Sequence, residues 1–343
     1  MRPDDAFALP PDRQAFWSER KSSSTALYRL KQKIDIALGR MDFADAHPII
    51  REACRYSILD GGKRVRPIFI LLVGKALGGN EKCIMPIALA TELAHTSSLI
   101  LDDIMDRSRL RRYRATAHLK YGKAEAFMAA DYLIFKSMKL VLESGLSVKL
   151  RKECMALMCR ASANMIEGQW FDMHVDSKIS IGDYTDQIYK RSGQFFETGA
   201  VLAAKVSGSE MPQIKAVGEM GGRLGVLFQL RDDILDYMGG GNSGKPPFHD
   251  FSLGKLTAPV IIAMARLPGK RKEALSLLRK ERKTTQDRDR MLSILRQADA
   301  IVECQKLLLA CAKKGRATLK IMPETVEKSI ISDLIDYLCY RVV

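Results

Sequence analysis

This chain writes one acidic pentad twice, and each copy closes an apolar run. Asp102-Asp103-Ile104-Met105-Asp106 is the first copy, and Asp232-Asp233-Ile234-Leu235-Asp236 is the second. On a helix, the first and last Asp of each set lie four residues apart and share one face. Adjacent carboxylates repel and raise each other's pKa unless a cation sits between them. Acidic surface turns would explain the clusters differently. However, each cluster follows ten or more mostly apolar residues, which need burial. The pattern therefore predicts a fold in which two acidic helix faces form opposite walls of one cation-filled cavity.

The rest of the sequence reads as helix. Leu27, Leu30, Ile34 and Leu38 recur at helical spacing, and 46–59, 65–77, 84–106, 119–145, 147–176, 181–206 and 210–238 carry similar apolar stripes. No alternation of period two extends beyond four or five residues. The expectation is an all-α fold, a single-domain bundle of roughly ten or more helices around a central cavity. Length alone would allow about two domains, but no composition break divides the chain. Residues 1–22 read as a loose N-terminal arm and 23–343 as the domain. No apolar run, 67–74 among the longest, reaches the ~20 residues that span a bilayer. The N-terminus has early acids and no apolar leader. Seven cysteines without metal-like spacing read as reduced thiols. The expected location is cytoplasmic.

The formal net charge of +15 favours an anionic partner. Nucleic acid is a poor candidate, because no recognition motif or aromatic interleaving accompanies the charge. Residues 270–290 hold nine basic against four acidic side chains. They read as a solvated helix pair with a hinge, with peripheral membrane contact as the alternative.

Clustered Asp oxygens suit Mg²⁺, which binds through few carboxylates and keeps ligands for waters and phosphates. Two such clusters predict two or three Mg²⁺ ions holding a diphosphate. Lys63, Arg64 and Arg66 start a helix, where backbone N–H groups also favour anions, and Arg111 and Arg112 follow the first cluster closely. A second, metal-free diphosphate pocket would use Lys63, Arg66, His95 and Arg112. A lone His95 would ordinarily be a core histidine, but it lies two turns before Asp102 on the same face. The Gly/Pro-rich stretch 238–255 reads as a lid over the site.

In this ordered set the sequence resembles the trans-isoprenyl diphosphate synthases, the polyprenyl synthetase family. The resemblance is carried by Gly61-Gly62-Lys63-Arg64-x-Arg66-Pro67, by Glu92 to Asp106, and by Arg111-Arg112, Thr116-x-His118 and Asp131-Tyr132-Leu133. It continues through Phe228-Gln229-x-x-Asp232 to Asp236, Gly244-Lys245 with Asp250, and Gly254-Lys255-x-Thr257-x-Pro259. It implies Mg²⁺, isopentenyl diphosphate, an allylic diphosphate and a homodimer. By this likeness Asp102, Asp106 and Asp232 are direct metal ligands, supported by Asp103, Asp233 and Asp236. Arg111, Arg191, Gln229, Lys245 and Lys255 would contact the allylic diphosphate. Lys63, Arg66, His95 and Arg112 would hold isopentenyl diphosphate. Two departures stand out. Tyr113 and Ala115 occupy positions where the family has Gly and Pro, and Arg191-Ser192-Gly193 stands for Lys-Thr-Gly.

Small residues below Asp102 (Ser98, Ala94 beside His95, Thr91, and Ala88 beside Ile87) predict a trench that descends about 20 Å at ~1.5 Å per residue. In the family, bulky aromatics four and five residues before the first Asp stop growth early; here they are Ser98 and Ser97. The expected product is therefore long, hexaprenyl to decaprenyl, of the kind used as quinone side chains. The trench floor would come from Phe135, Met138 or Leu142. Alternatives are a farnesyl or geranylgeranyl diphosphate synthase, with a neighbouring residue plugging the tunnel, a subunit of a heteromeric synthase, and a terpene cyclase. The second acidic set and the Lys63–Arg66 group argue against the cyclase.

Overall fold

The computed structural model describes residues 20–174, 178–238 and 248–340. Among them the chain is helical apart from one two-stranded hairpin. The first half comprises α1 (Lys21–Gly39), α2 (Pro48–Leu59), α3 (Val65–Ala76) and α4 (Glu81–Met105). The hairpin β1 (Leu110–Arg111) and β2 (Arg114–Ala115) follows, then α5 (Ala117–Lys120), α6 (Lys123–Leu142) and α7 (Val148–Met173). Next come α8 (Ile181–Ile188), a π turn at Tyr189–Gly193, α9 (Gln194–Val206) and α10 (Met211–Met238). The chain ends with α11 (His249–Ser252), α12 (Ala258–Arg266), α13 (Arg271–Arg279), α14 (Thr285–Gln297), α15 (Ala300–Ala317) and α16 (Val326–Tyr340).

The predicted helices are present with their ends shifted. The stretch 119–145 divides at Gly122, whose φ of 109° breaks α5 from α6. Most of the expected arm lies outside the described residues, but Lys21 and Ser22 already belong to α1. Arg20 Nε pairs with Asp333 Oδ1 at 3.3 Å, so folded structure begins earlier than expected. The stretch 270–290 does form a helix pair with a hinge. There Lys280 Nζ pairs with Asp287 Oδ1 at 2.5 Å, and Thr284 with Asp287 forms the capping box of α14.

Helix α4 forms the axis of the bundle. Asn80 caps it by accepting from the backbone N–H of Lys82 at 2.9 Å. By length and composition α4 could cross a membrane, but 67% of its apolar window is buried inside the fold. Its apolar character is that of a core helix packed against α3, α6 and α9. Arg64 locks its neighbours together. That residue adopts φ 50°, is buried, and pairs with Asp35 of α1 at 2.9 Å and Glu92 of α4 at 2.7 Å. This pairing sets the loop Gly61–Lys63 against the middle of α4.

Helix α10 reaches α9 through glycines. A Cβ at Gly221 would lie 2.5 Å from the Phe196 carbonyl oxygen, and one at Gly225 would lie 2.5 Å from the Gly193 Cα. Gly168 of α7 makes the same kind of approach to the Arg191 backbone, at 2.8 Å. These contacts press the π turn between α7 and α10, and π turns often mark functional positions.

Gly221→Ala should therefore destabilise the protein by about 1–3 kcal/mol through overpacking, despite alanine's better helix propensity. Gly39→Ala has open space around it and should be neutral or stabilising by up to about 1 kcal/mol. Denaturant unfolding of both variants checks the contrast.

Candidate active site

The two acidic clusters end α4 and α10 and meet at one cavity of about 900 Å³. Asp102, Asp106, Asp232, Asp233 and Asp236 line it together with Lys63, Arg66, His95, Arg111, Arg112, Arg191, Gln229 and Lys255. Among the expected allylic contacts, Lys245 lies outside the described residues. Of the predicted lid, only its end is described.

Asp103, expected in a supporting role, stands apart from the other five acids. It is buried and does not line the cavity. Arg111 donates to it from Nε at 2.6 Å and from Nη2 at 2.7 Å. Adjacent helix positions point about 100° apart, and here that turn carries Asp102 to the cavity and Asp103 away from it, toward Arg111. Asp103 thus acts through Arg111, fixing its guanidinium in a two-pronged pair. The Asp102 side chain, by contrast, has no hydrogen bond or ion pair among the described residues, and burial raises its carboxyl above the usual range.

The second cluster also divides its labour. Asp233 is fully buried. It accepts from the Tyr184 hydroxyl at 2.7 Å, the Gln229 side chain at 3.0 Å and the Ala258 N–H at 3.1 Å. Burial pushes its carboxyl up to about 6 despite these donors. Asp236 accepts from the backbone N–H groups of Asp250 at 3.1 Å and Phe251 at 3.3 Å. It therefore anchors α11 and the end of the predicted lid to α10. Burial and the charge of Asp250 raise its carboxyl as well.

Cationic side chains bridge the walls. Lys255 Nζ lies 2.8 Å from Asp106 Oδ2 and 3.6 Å from Asp172 Oδ2. Arg191 pairs with Asp172 at 2.5 Å and donates to Gln229 Oε1 at 3.3 Å. The π turn supplies this reach. Asp172, an acid among Trp170, Phe171 and Met173 near the end of α7, was missed by the sequence reading. Its signal was one carboxylate in an apolar helical stretch, on a face shared with the cavity-lining Gln169 and Met165. Asp250, noted only as part of a motif, also lines the cavity.

On the other side, Arg66 Nη1 lies 2.9 Å from His95 Nε2. Its guanidinium also sits 4.8 Å over the Phe196 ring and 5.5 Å over Phe228. Burial and the Arg66 charge depress His95 well below the ordinary imidazole value, so the ring is neutral and Nε2 accepts. Arg112 donates from Nη1 to the Gly61 carbonyl and packs over Gly62, where a Cβ would lie 2.9 Å from Nη2.

The expected trench is corrected. Ser98 lines the cavity, but Thr91, Ala94 and Ser97 are buried and do not. Nor do Phe135, Met138 or Leu142 floor it. Phe135 and Leu142 are exposed, and the apolar wall comes from Phe127, Met165, Ile166, Trp170, Met173 and Phe195. Small residues on α4 serve close helix packing instead of open space.

Comparison with known proteins identifies this arrangement. The polyprenyl synthetase profile matches residues 47–295. The chain belongs to the polyprenyl synthetase family. It is 32% identical over 313 residues to the geranylfarnesyl diphosphate synthase of Aeropyrum pernix, covering 88% of this chain and 98% of that one. It is 31% identical over 293 residues to the octaprenyl diphosphate synthase of Haemophilus influenzae, covering 84% and 87%. A solved polyprenyl synthase from Caulobacter crescentus, complexed with calcium and isoprenyl diphosphate, superposes with a TM-score of 0.81 at 27% identity, covering 96% and 97%. The polyprenyl synthetase here is a trans-prenyltransferase that condenses prenyl diphosphates. Its all-α fold is that of the isoprenoid synthases.

Asp103→Asn should release Arg111 and lower kcat/KM about 10- to 100-fold, the usual effect of removing a supporting partner. The loss should fall mainly on the KM for the allylic diphosphate, in steady-state kinetics with each substrate varied in turn.

Proposed function

We propose that this enzyme makes a long trans-polyprenyl diphosphate, hexaprenyl to decaprenyl, by successive head-to-tail additions of isopentenyl diphosphate to an allylic primer. The observation that carries the reaction site is the pair Asp102 and Asp232 lining one cavity between two groups of bases. Among the described residues, no three His, Cys, Asp or Glu side chains gather into a ready metal site. A diphosphate would therefore complete the coordination of Mg²⁺ held by Asp102, Asp106 and Asp232, as suits an ion that binds few carboxylates plus substrate phosphates. The unpartnered, half-buried Asp102 fits that donor set. Bound there, two or three Mg²⁺ ions would offset charge on the leaving diphosphate.

The protein's own groups do the rest. Arg111, Arg191 and Lys255 converge where the allylic diphosphate departs, and their charge is worth most in a space from which water is excluded. Gln229 aligns Arg191. Lys63, Arg66, His95 and Arg112 hold isopentenyl diphosphate, with neutral His95 turning Arg66 toward the anion. The allylic C–O bond breaks, the isopentenyl double bond attacks the cation, and a proton leaves to the departed diphosphate. The apolar wall of Phe127, Met165, Ile166 and Phe195 receives the growing chain and keeps water from the cation.

Ser98 supports the long product, since a small side chain stands on the cavity wall one turn below Asp102. A homodimer is proposed on a second ground. Phe127, Phe135 and Leu142 on α6 and Ile166, Trp170 and Met173 on α7 are large apolar side chains left exposed at helical spacing. We place the enzyme in the cytoplasm, with its basic helix pair α13–α14 available to a membrane that receives the product.

Incubation with isopentenyl diphosphate and farnesyl or geranylgeranyl diphosphate should give products of six to ten isoprene units by chromatography. Ser98→Phe should shorten them. Wild-type products of five units or fewer, or an unchanged length in Ser98→Phe, would contradict the long-chain reading.

A further inference from the structure

The turn that carries Arg112 runs through the left-handed region with no glycine in it. Arg112 and Tyr113 are the two central residues of the hairpin, with φ of 52° and 65°. Two-residue turns of this kind favour Asn and Gly, which tolerate the left-handed region. The ribbon pairs Leu110 with Ala115 and Arg111 with Arg114, with one further bond from the Thr116 N–H to the Arg109 carbonyl at 3.1 Å, and so short a two-stranded ribbon is marginal in water by itself. Arg112 must nevertheless land on Gly61–Gly62, where its guanidinium takes the place of a missing Cβ.

Helix α2 supplies the missing support. Tyr56 and Asp60 stand four residues apart, one on the last turn of α2 and one just beyond it, so they share a face. Asp60, its side chain 8% exposed, pairs with Arg114 Nη1 at 2.9 Å. The Arg114 guanidinium lies 4.3 Å over the Tyr56 ring, and Lys120 Nζ lies 4.1 Å over the same ring. The Tyr56 hydroxyl donates to the Ala115 carbonyl at 2.7 Å. Strand β2 is thus gripped at both of its residues. The Gly61–Gly62 loop follows directly from Asp60, so one short segment fixes both the hairpin and the surface that receives Arg112. Arg111, one residue earlier, is anchored separately by Asp103.

We propose that Tyr56, Asp60 and Arg114 form a clamp that replaces favourable turn chemistry and positions Arg112 for isopentenyl diphosphate, leaving the allylic side to Arg111 and its own anchor. This rests on the assignment of the Arg112 pocket made above. The three are positioning residues, and each acts through Arg112.

The test is steady-state kinetics of the full chain with Mg²⁺, each substrate varied separately. Asp60→Asn and Arg114→Ala should raise the KM for isopentenyl diphosphate roughly tenfold, a factor that corresponds to ~1.4 kcal/mol. The saturated kcat and the KM for the allylic diphosphate should stay within about twofold, the pattern of lost uniform binding. Tyr113→Gly relaxes the turn itself, so adding it to Asp60→Asn should restore the KM, a rescue that general damage to the fold would not show. Arg112→Ala is the control for the pocket. If it leaves the isopentenyl KM unchanged, the pocket assignment fails and takes the clamp with it. If Arg112→Ala raises that KM while Asp60→Asn and Arg114→Ala do not, or if Tyr113→Gly gives no rescue, the clamp alone is overturned.

Discussion

Seven carboxylates among the described residues stand around one partly buried cavity without gathering into a ready metal site, and they set the terms for everything around them. Asp102, Asp106, Asp172, Asp232, Asp233, Asp236 and Asp250 all line one cavity. Their repulsion in a low-dielectric site is offset by fixed cations. Lys255 bridges Asp106 and Asp172, and Arg191 holds Asp172. The remaining repulsion is what divalent cations would relieve, with a diphosphate completing their coordination.

The fold is arranged to hold that balance. Buried Arg64 ties α1 and α4 to the Gly61–Lys63 loop, and glycines on α10 draw α9 and the π turn close enough for Arg191 to reach across. Asp103 and Asp236 serve as anchors, one for Arg111 and one for the segment that starts α11. The acidic pentads therefore carry two kinds of residue, some facing the cavity and some holding the groups that do.

Much of this was legible in the sequence because helices declare themselves by period and the pentads by charge. The long stripes at 65–77, 84–106 and 210–238 correspond to α3, α4 and α10. Strands of two residues have no period to read, so the hairpin at 110–115 leaves no mark in the apolar pattern, and its contacts with Tyr56 and Asp60 come from far away in sequence. The trench was misread because a small residue looks the same whether it faces a void or a close-packed helix. Thr91, Ala94 and Ser97 do the latter. The lone Asp172 has no partner nearby in sequence. Its role depends on Arg191 and Lys255, which only the folded chain brings to it.

Divalent-metal binding, followed by calorimetry with Mg²⁺ or by the spin resonance of Mn²⁺, tests the shared cavity most directly. It should be measured with and without an unreactive allylic diphosphate analogue. Tight binding should require the analogue, and it should be lost in both Asp102→Asn and Asp232→Asn. Metal bound equally well without the analogue, or retained when either aspartate is neutralised, would contradict a single site closed between the two walls.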